Sequence, residues 1–398
     1  VTLQERRRPN GGHVARGAMP IFANQLFDYN FGYLPPQSPA ATPFSVTYDD
    51  LRPGNGVVAK RPLADKAAAA SKLQKRTRLN ESTLDKTCIN TIRVLAADMV
   101  QAANSGHPGA PMGCAPMAHA LWAHVMQYNP NNPSWINRDR FVLSNGHACA
   151  LLYSLLHLAG FDVTMDDLRS FRKLGSKCPG HPENVVTPGV EVTTGPLGQG
   201  LSMAVGMALA QAQAAATYNK EGFPLITNHT FVICGDGCLQ EGITSEASSL
   251  AGHLGLGRLI VLWDDNRITI DGSTDLSFTE DVLKRYEAYG WQTLRVENGD
   301  DDLDAILAAI EEAKADVDRP TMIRVSTTIG KGSSKEGTAG CHGSPLGEAD
   351  IVAVKKHFGF DEKASFYVGE EVYGQYRAKR DAGAAAEAEW RALLARYA

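Results

Sequence analysis

Apolar residues upstream of Leu79 follow no sustained period, whereas those downstream fall into regular patterns. Ile89, Ile92, Val94, Leu95 and Met99 keep roughly to a helical spacing, and Ser82-Thr-Leu-Asp85 can cap the helix they imply. Ala115 to Met126 predicts a second helix and Phe141-Val-Leu143 a short strand. Ala148 to Ala159 predicts a buried helix, and the Ala- and Met-rich stretch Leu201 to Tyr218 another. Three apolar runs then end in turn or polar residues: Thr230-Phe-Val-Ile-Cys234, Arg258-Leu-Ile-Val-Leu-Trp263 and Thr321-Met-Ile-Arg-Val-Ser326. Helical patterns lie between them, including Leu303 to Ala315. Strands alternating with helices predict an α/β fold with a parallel sheet covered by helices on both faces. Ligands of such a sheet sit at the carboxyl ends of its strands. No short regular repeat is present. From about Phe358 the chain turns polar and Ala-rich, and Ala384 to Ala398 reads as an amphipathic helix.

Composition changes this picture mainly at the start. Residues 1–78 are rich in Arg, Pro, Ala and Gly, carry Arg6-Arg7-Arg8 and have few acidic residues up to Thr47. That fits a disordered extension or the remnant of an organelle transit peptide. The first residue is Val1, so the expectation is that the true start lies upstream. A net charge of −5 gives no reason to expect a nucleic-acid partner. No apolar run reaches the roughly 18 residues of a membrane-spanning helix. Seven cysteines at irregular spacing argue against a disulfide framework and for a reducing compartment. Cys234 and Cys238 come closest to a metal-binding pair but lack a second pair, and read as buried thiols.

The chemistry concentrates at the predicted strand ends. Gly235-Asp236-Gly237 closes one strand, with Cys238-Leu-Gln-Glu241-Gly242 after it, and Asp264-Asp265-Asn266-Arg267-Ile268 closes the next. Adjacent strand ends can bring the Asp236 carboxylate and the Asn266 amide oxygen to one small cation, with the Ile268 carbonyl as a third ligand. Mg²⁺ takes oxygens at roughly 2.0–2.1 Å and shares them with phosphates. Gly235 and Gly237 would let the backbone approach a diphosphate. Alone, Gly-Asp-Gly is an ordinary turn; with a strand-Asp-Asn about thirty residues on, it is the pattern of thiamine-diphosphate enzymes. Four more motifs carry histidines: Ala103-Asn-Ser-Gly-His107-Pro-Gly, Ser144-Asn-Gly-His147-Ala, Pro179-Gly-His181-Pro-Glu183 and Cys341-His342-Gly343. Thr194-Gly-Pro-Leu-Gly-Gln-Gly200 leads into a helix amino terminus, a natural place to meet phosphate.

From about Leu79 to Phe360 these motifs resemble the amino-terminal part of transketolase. Pro-Met-Gly-Cys-Ala-Pro-Met, Asn-Arg-Asp-Arg-Phe-Val-Leu-Ser and Gly-Val-Glu-Val-Thr-Thr-Gly-Pro-Leu-Gly-Gln-Gly are most similar to plant and algal members. The resemblance implies a diphosphate-binding domain at 79–360 and a stretch of interdomain linker at 361–398. It implies that Asp236, Asn266 and the Ile268 carbonyl hold Mg²⁺ (or Ca²⁺) beneath thiamine diphosphate. His147 and Gly237 would contact the diphosphate, while Gly195 and Leu197 help to seat the cofactor. His107, His181 and His342 would line the substrate channel, binding sugar hydroxyls and assisting proton transfer, with His342 also beside the cofactor. Glu241 resembles a buried acid that ties a homodimer together. An imidazole with a pKa near neutrality suits proton transfer in both directions. The remaining histidines, among them His119, His124, His157, His229 and His253, match no motif and read as structural, and Asp300-Asp301-Asp302 reads as a solvated helix start.

The implied activity is reversible transfer of a two-carbon ketol group from a ketose phosphate to an aldose phosphate. Its substrates would be xylulose 5-phosphate, ribose 5-phosphate, glyceraldehyde 3-phosphate and erythrose 4-phosphate, in the pentose phosphate or reductive pentose phosphate (Calvin) pathway. In this family a second domain holds the aminopyrimidine, and none of its motifs precedes Ala398. The expectation is therefore half of a site, inactive alone, from a partial sequence rather than a split enzyme. Two readings compete with a transketolase: a dihydroxyacetone synthase-like relative and a non-catalytic protein that kept the cofactor fold. Location in a plastid is the expectation, with the cytoplasm as the alternative.

Overall fold

A computed structural model describes residues 83–397. The expected extension at 1–78 and the capping Ser82 lie outside the described residues. The first helix, α1 (Thr83–Ala103), is followed by the short α2 (Gly109–Gly113) and α3 (Ala115–His119), which runs into a π-helical turn at Ala120–Val125. After β1 (Arg140–Leu143) come α4 (Cys149–Ala159), the short α5 (Met165–Arg169) and α6 (Gln199–Tyr218). The central part holds β2 (Thr230–Gly235), α7 (Asp236–Gln240), α8 (Gly242–Leu254) and β3 (Leu259–Asp265). A small hairpin, β4 (Ile268–Thr269) with β5 (Gly272–Ser273), leads to α9 (Val282–Ala288), β6 (Gln292–Val296), α10 (Leu303–Ala315) and β7 (Thr321–Ser326). Two helices follow, α11 (Glu348–His357) and α12 (Glu370–Tyr397).

Five strands form one sheet in the order β1-β2-β3-β7-β6, every neighbouring pair parallel. Side chains alternate strictly across it, as a pleat requires. Phe231 and Ile233, Ile260 and Leu262, Ile323 and Val325 enter a core shared with Ile92, Leu95 and Met99 of α1 and Ile306 and Ile310 of α10. Val232 and Cys234, Val261 and Trp263, and Met322 enter a second core on the opposite face, with Leu201 and Val205 of α6 and Tyr286 of α9. Burial on both faces explains why these strands read as continuous apolar runs.

Several expected elements differ in extent. Ala115 to Met126 is not one helix: Met126 N–H donates to Leu121 O (2.8 Å), five residues back, and the last turn widens into π geometry. β3 runs on to Asp265, so that Asp264 and Asp265 belong to the strand end. β6 was not predicted, because this edge strand is polar and only half-buried until Val296. The terminal helix begins at Glu370 rather than Ala384 and packs against the α/β unit along its length. Glu387 accepts from Asn129 Nδ2 (2.7 Å), Asn132 Nδ2 (2.6 Å) and Arg391 Nε (2.7 Å), and Trp390 Nε1 donates to Leu225 O (2.7 Å). A Cβ at Gly383 would lie 1.7 Å from Tyr128 O, so only glycine allows that approach. A buried ion pair, Lys355 Nζ to Asp98 Oδ1 at 2.8 Å, ties α11 to α1. No described helix is long and apolar enough to cross a membrane. The described cysteines, including Cys234 and Cys238, are buried free thiols.

Candidate functional site

The parallel register aligns the carboxyl ends of β1, β2, β3 and β7 along one rim. Each strand hands a polar segment to that rim: Ser144-Asn145-Gly146-His147, Asp236, Asn266-Arg267-Ile268, and Thr327-Thr328 with the loop that leads to His342.

Asp236, Asp264 and Asn266 meet there. Trp263 Nε1 donates to Asp236 Oδ1 (2.8 Å) and the Arg267 backbone N–H to Asp236 Oδ2 (3.1 Å). Asn266 Nδ2 donates to Asp264 Oδ2 (2.8 Å), its Oδ1 accepts from the Ile268 N–H (2.9 Å), and the Thr327 hydroxyl donates to Asp264 Oδ1. Asp265 is neutralised by Arg324 (2.6 Å), but among the described residues neither Asp236 nor Asp264 has a basic partner. Burial pushes the Asp236 carboxyl up to about 7; the Trp263 hydrogen bond opposes this, and Asp264 and Asp265 add to it. Burial likewise lifts Asp264 to about 6 against hydrogen bonds from Thr327, Cys114 and Asn266. Two desolvated carboxyls beside an amide oxygen and free of cationic partners form a donor set suited to a hard divalent ion. Arg267, between them, has a φ of 60°, a left-handed conformation uncommon for a side-chain-bearing residue.

Three imidazoles also cluster. Ring centroids are 4.9 Å apart for His107–His147, 5.2 Å for His147–His342 and 5.8 Å for His107–His342. His181 joins from the outer side, exposed, its ring 3.6 Å from where a Cβ on Gly195 would stand. The expectation of a pKa near neutrality does not hold for this cluster. Burial pushes His147 down to about 3 and His107 to about 4, and their imidazole neighbours add to both shifts. Burial lowers His342 and His181 as well, with Arg172 adding to the latter. His107 and His147 are thereby held in the neutral form near pH 7, able to accept at one nitrogen and donate at the other. Three buried polar atoms of these motifs have no hydrogen-bond partner among the described residues: His107 Nδ1, His342 Nδ1 and Asn145 Oδ1.

The glycine motifs lock the loops around the rim. A Cβ at Gly146 would stand 2.7 Å from Thr194 Oγ1, and one at Gly200 2.5 Å from Ser144 Cα. A Cβ at Gly237 would stand 2.8 Å from Leu197 Cδ1, so this glycine brings two predicted cofactor residues into contact. Gly198, with φ 81°, turns the chain into α6. Glu241 is exposed on this single chain and makes no cap bond to α8. Asp300 differs from expectation, since it accepts from Thr328 N (3.1 Å) and Oγ1 (2.6 Å) and anchors the β7 loop, whereas Asp302 does cap α10. Asp264 and Asn145 stand inside quoted sequence motifs but were given no role there, and Thr327 was not singled out.

Comparison with known proteins agrees with this geometry. Residues 84–398 match the family described as transketolase, thiamine diphosphate binding domain. Transketolase 1 of Saccharomyces cerevisiae is 60% identical over 315 residues, covering 79% of this chain and 46% of the relative. The chloroplastic transketolase of Solanum tuberosum is 51% identical over 359 residues, covering 90% of this chain and 48% of the relative. A crystal structure of Pichia stipitis transketolase in complex with sedoheptulose 7-phosphate superposes with a TM-score of 0.79 at 57% identity, covering 79% of this chain and 47% of that one. The chain thus spans about half the length of the curated relatives it matches.

Proposed function

Since the chain belongs to the transketolase thiamine diphosphate binding domain family, we propose that it forms the diphosphate-binding half of a transketolase site acting on sugar phosphates. The observation that carries this reading is the carboxyl pair Asp236 and Asp264, set with Asn266 at adjacent strand ends and without a basic partner among the described residues, together with the three clustered imidazoles. Asp236, the Asn266 amide oxygen and the Ile268 carbonyl would hold Mg²⁺, or Ca²⁺. His147 and the Gly237 backbone would meet the diphosphate, with Gly195 and Leu197 shaping the wall beside it. Thiamine diphosphate, when bound, supplies the electron sink for cleaving and re-forming the ketose C2–C3 bond.

The chain's own residues would position the sugar and move its protons. His107 and His342, each with a partnerless Nδ1, would accept hydrogen bonds from sugar hydroxyls, and one of them would take the proton that leaves as the carbon–carbon bond opens. His181, exposed beside Gly195, would guide the substrate at the channel mouth. Glu241, exposed here, would be covered by a second subunit in a homodimer. The sugar-phosphate complexes of the Pichia stipitis enzyme support the substrate class. The chloroplastic potato relative supports a plastid location.

The test is complementation. The 398-residue chain is mixed with the second-domain polypeptide of a transketolase relative, thiamine diphosphate and Mg²⁺, and ketol transfer from xylulose 5-phosphate to ribose 5-phosphate is followed. The reading expects transfer in the mixture and its loss, by more than about 100-fold, on Asp236→Ala. A mixture that binds the cofactor but transfers no ketol group would overturn it.

A further inference from the structure

Far from the sheet rim, three side chains that matched no motif converge. Asp85 lies in the first turn of α1, His119 ends α3, and His124 lies in the π-helical turn. Asp85 Oδ1 stands 3.0 Å from His119 Nε2 and 2.9 Å from His124 Nε2, and all three ligand atoms lie within 4.8 Å of one another. We propose that Asp85, His119 and His124 form a binding site for a late first-row divalent cation, zinc(II) by the chemistry of its donors.

Four observations support this. Metal–ligand bonds of about 2.0–2.2 Å place tetrahedral ligands roughly 3.3–3.6 Å apart, so the ring nitrogens and the carboxylate oxygen need only small movements to share an ion. Two imidazoles and one carboxylate form a set that favours zinc over Mg²⁺ or Ca²⁺, which prefer oxygen. The π-helical winding has a role here: histidines five residues apart diverge on an α-helix, whereas the wider turn brings their rings to 5.2 Å. Finally, His119 is already oriented from behind, because its Nδ1 lies 3.0 Å from Tyr376 Oη. With Nδ1 protonated and donating to Tyr376, Nε2 would present its lone pair to the metal, the arrangement that outer hydrogen bonds impose on ligating histidines.

Such an ion would join the start of α1, the π turn and, through Tyr376, the helix α12. Asp85 and His124 keep 14% and 13% of their side-chain surface exposed. Asp85 lies in the first turn of α1 and His107 follows the helix's last residue, so the two sites are at opposite ends of α1. The two sites can therefore be tested independently.

The experiment uses the full chain, freed of metal with a chelator and then titrated with Co²⁺ in the presence of excess Mg²⁺. One equivalent should give the visible absorption of low-coordinate Co²⁺, Zn²⁺ should displace it, and Zn²⁺ should raise the melting temperature. His124→Ala should abolish both signals while leaving thiamine diphosphate binding unchanged. Tyr376→Phe should weaken Co²⁺ binding roughly 10- to 100-fold. The absorption should persist in Asp236→Asn. No absorption, or absorption that survives His124→Ala, would mean that the two histidines merely share a carboxylate acceptor. Loss in Asp236→Asn would place the ion at the diphosphate site and equally overturn the proposal.

Discussion

Buried carboxylates occur at both ends of the same sheet, and the protein treats them in opposite ways. At the amino end, Asp139 precedes β1, and its oxygens accept the backbone N–H groups of Gln127 (2.8 Å) and His229 (2.7 Å). Burial alone would raise its pKa, but the hydrogen bonds and the His229 ring outweigh burial and hold it below the usual range. At the carboxyl end, Asp236 and Asp264 have hydrogen bonds too, yet burial prevails, helped at Asp236 by Asp264 and Asp265 and at Asp264 by Asp265, and holds both well above it. One end is electrostatically finished; the other lacks a positive charge. Near the amino end Glu387 is likewise held by Asn129 and Asn132, while the rim carries partnerless imidazole nitrogens and Arg267 in a left-handed conformation. An unfinished end is what a site designed to receive a metal and a charged ligand requires, because incoming groups supply the missing partners.

Substitutions at the two ends should break or sharpen this comparison. The largest effect on stability is expected from Asp139→Ala, which strands two buried N–H donors and should cost about 2–4 kcal/mol in denaturant unfolding. Asp236→Asn, by contrast, replaces a carboxyl whose pKa of about 7 leaves it only partly ionised near neutrality and should cost about 1 kcal/mol or less while removing Mg²⁺-dependent cofactor binding. Equal losses at the two positions would remove the distinction.

A smaller effect concerns pH. His107 and His147 have folded pKa values of about 4 and about 3 against 6.5 when unfolded, so between those limits the unfolded chain binds more protons and stability rises with pH. Asp236 and Asp264 have folded values of about 7 and about 6 against 3.8, so there the folded chain binds more protons and stability falls as pH rises. Between about pH 4 and 6 the two trends oppose, and the lowered His342 and His181 add to the histidine side. Replacing both His107 and His147 by Gln removes two of the opposing groups. The slope of stability against pH in the metal-free chain should then become more negative by up to about 1.4 kcal/mol per pH unit for each histidine removed. An unchanged slope in that double variant would count against the lowered values of His107 and His147. The smallest effect is expected at Arg267→Gly, where release of the positive φ should stabilise the chain by up to about 1 kcal/mol in thermal unfolding.

The sequence was most readable where chemistry and local pattern coincide. Apolar runs ending in Gly235-Asp236-Gly237 and in Asp264-Asp265-Asn266 mark both strand and rim, because a strand buried on both faces leaves only its end for polar residues. β6 escaped because an edge strand with Arg295 in it has no such run. The early start of α12 escaped because its anchors, Tyr376 and Glu387, meet partners far away in sequence. The same reason hid the Asp85–His119–His124 cluster, whose members are meaningful only once α1 and the π turn are side by side. The depressed histidine pKa values were equally unreadable, since desolvation depends on what encloses the rings rather than on the motifs that carry them.

The claim that the rim carboxyls await a cation can be measured at Asp236 itself, by following its carboxyl carbon resonance through a pH titration. The account predicts a midpoint near about 7 in the metal-free chain, moving to markedly lower pH when Mg²⁺ and thiamine diphosphate are added. A midpoint in the ordinary aspartate range, unmoved by the ion and the cofactor, would contradict it.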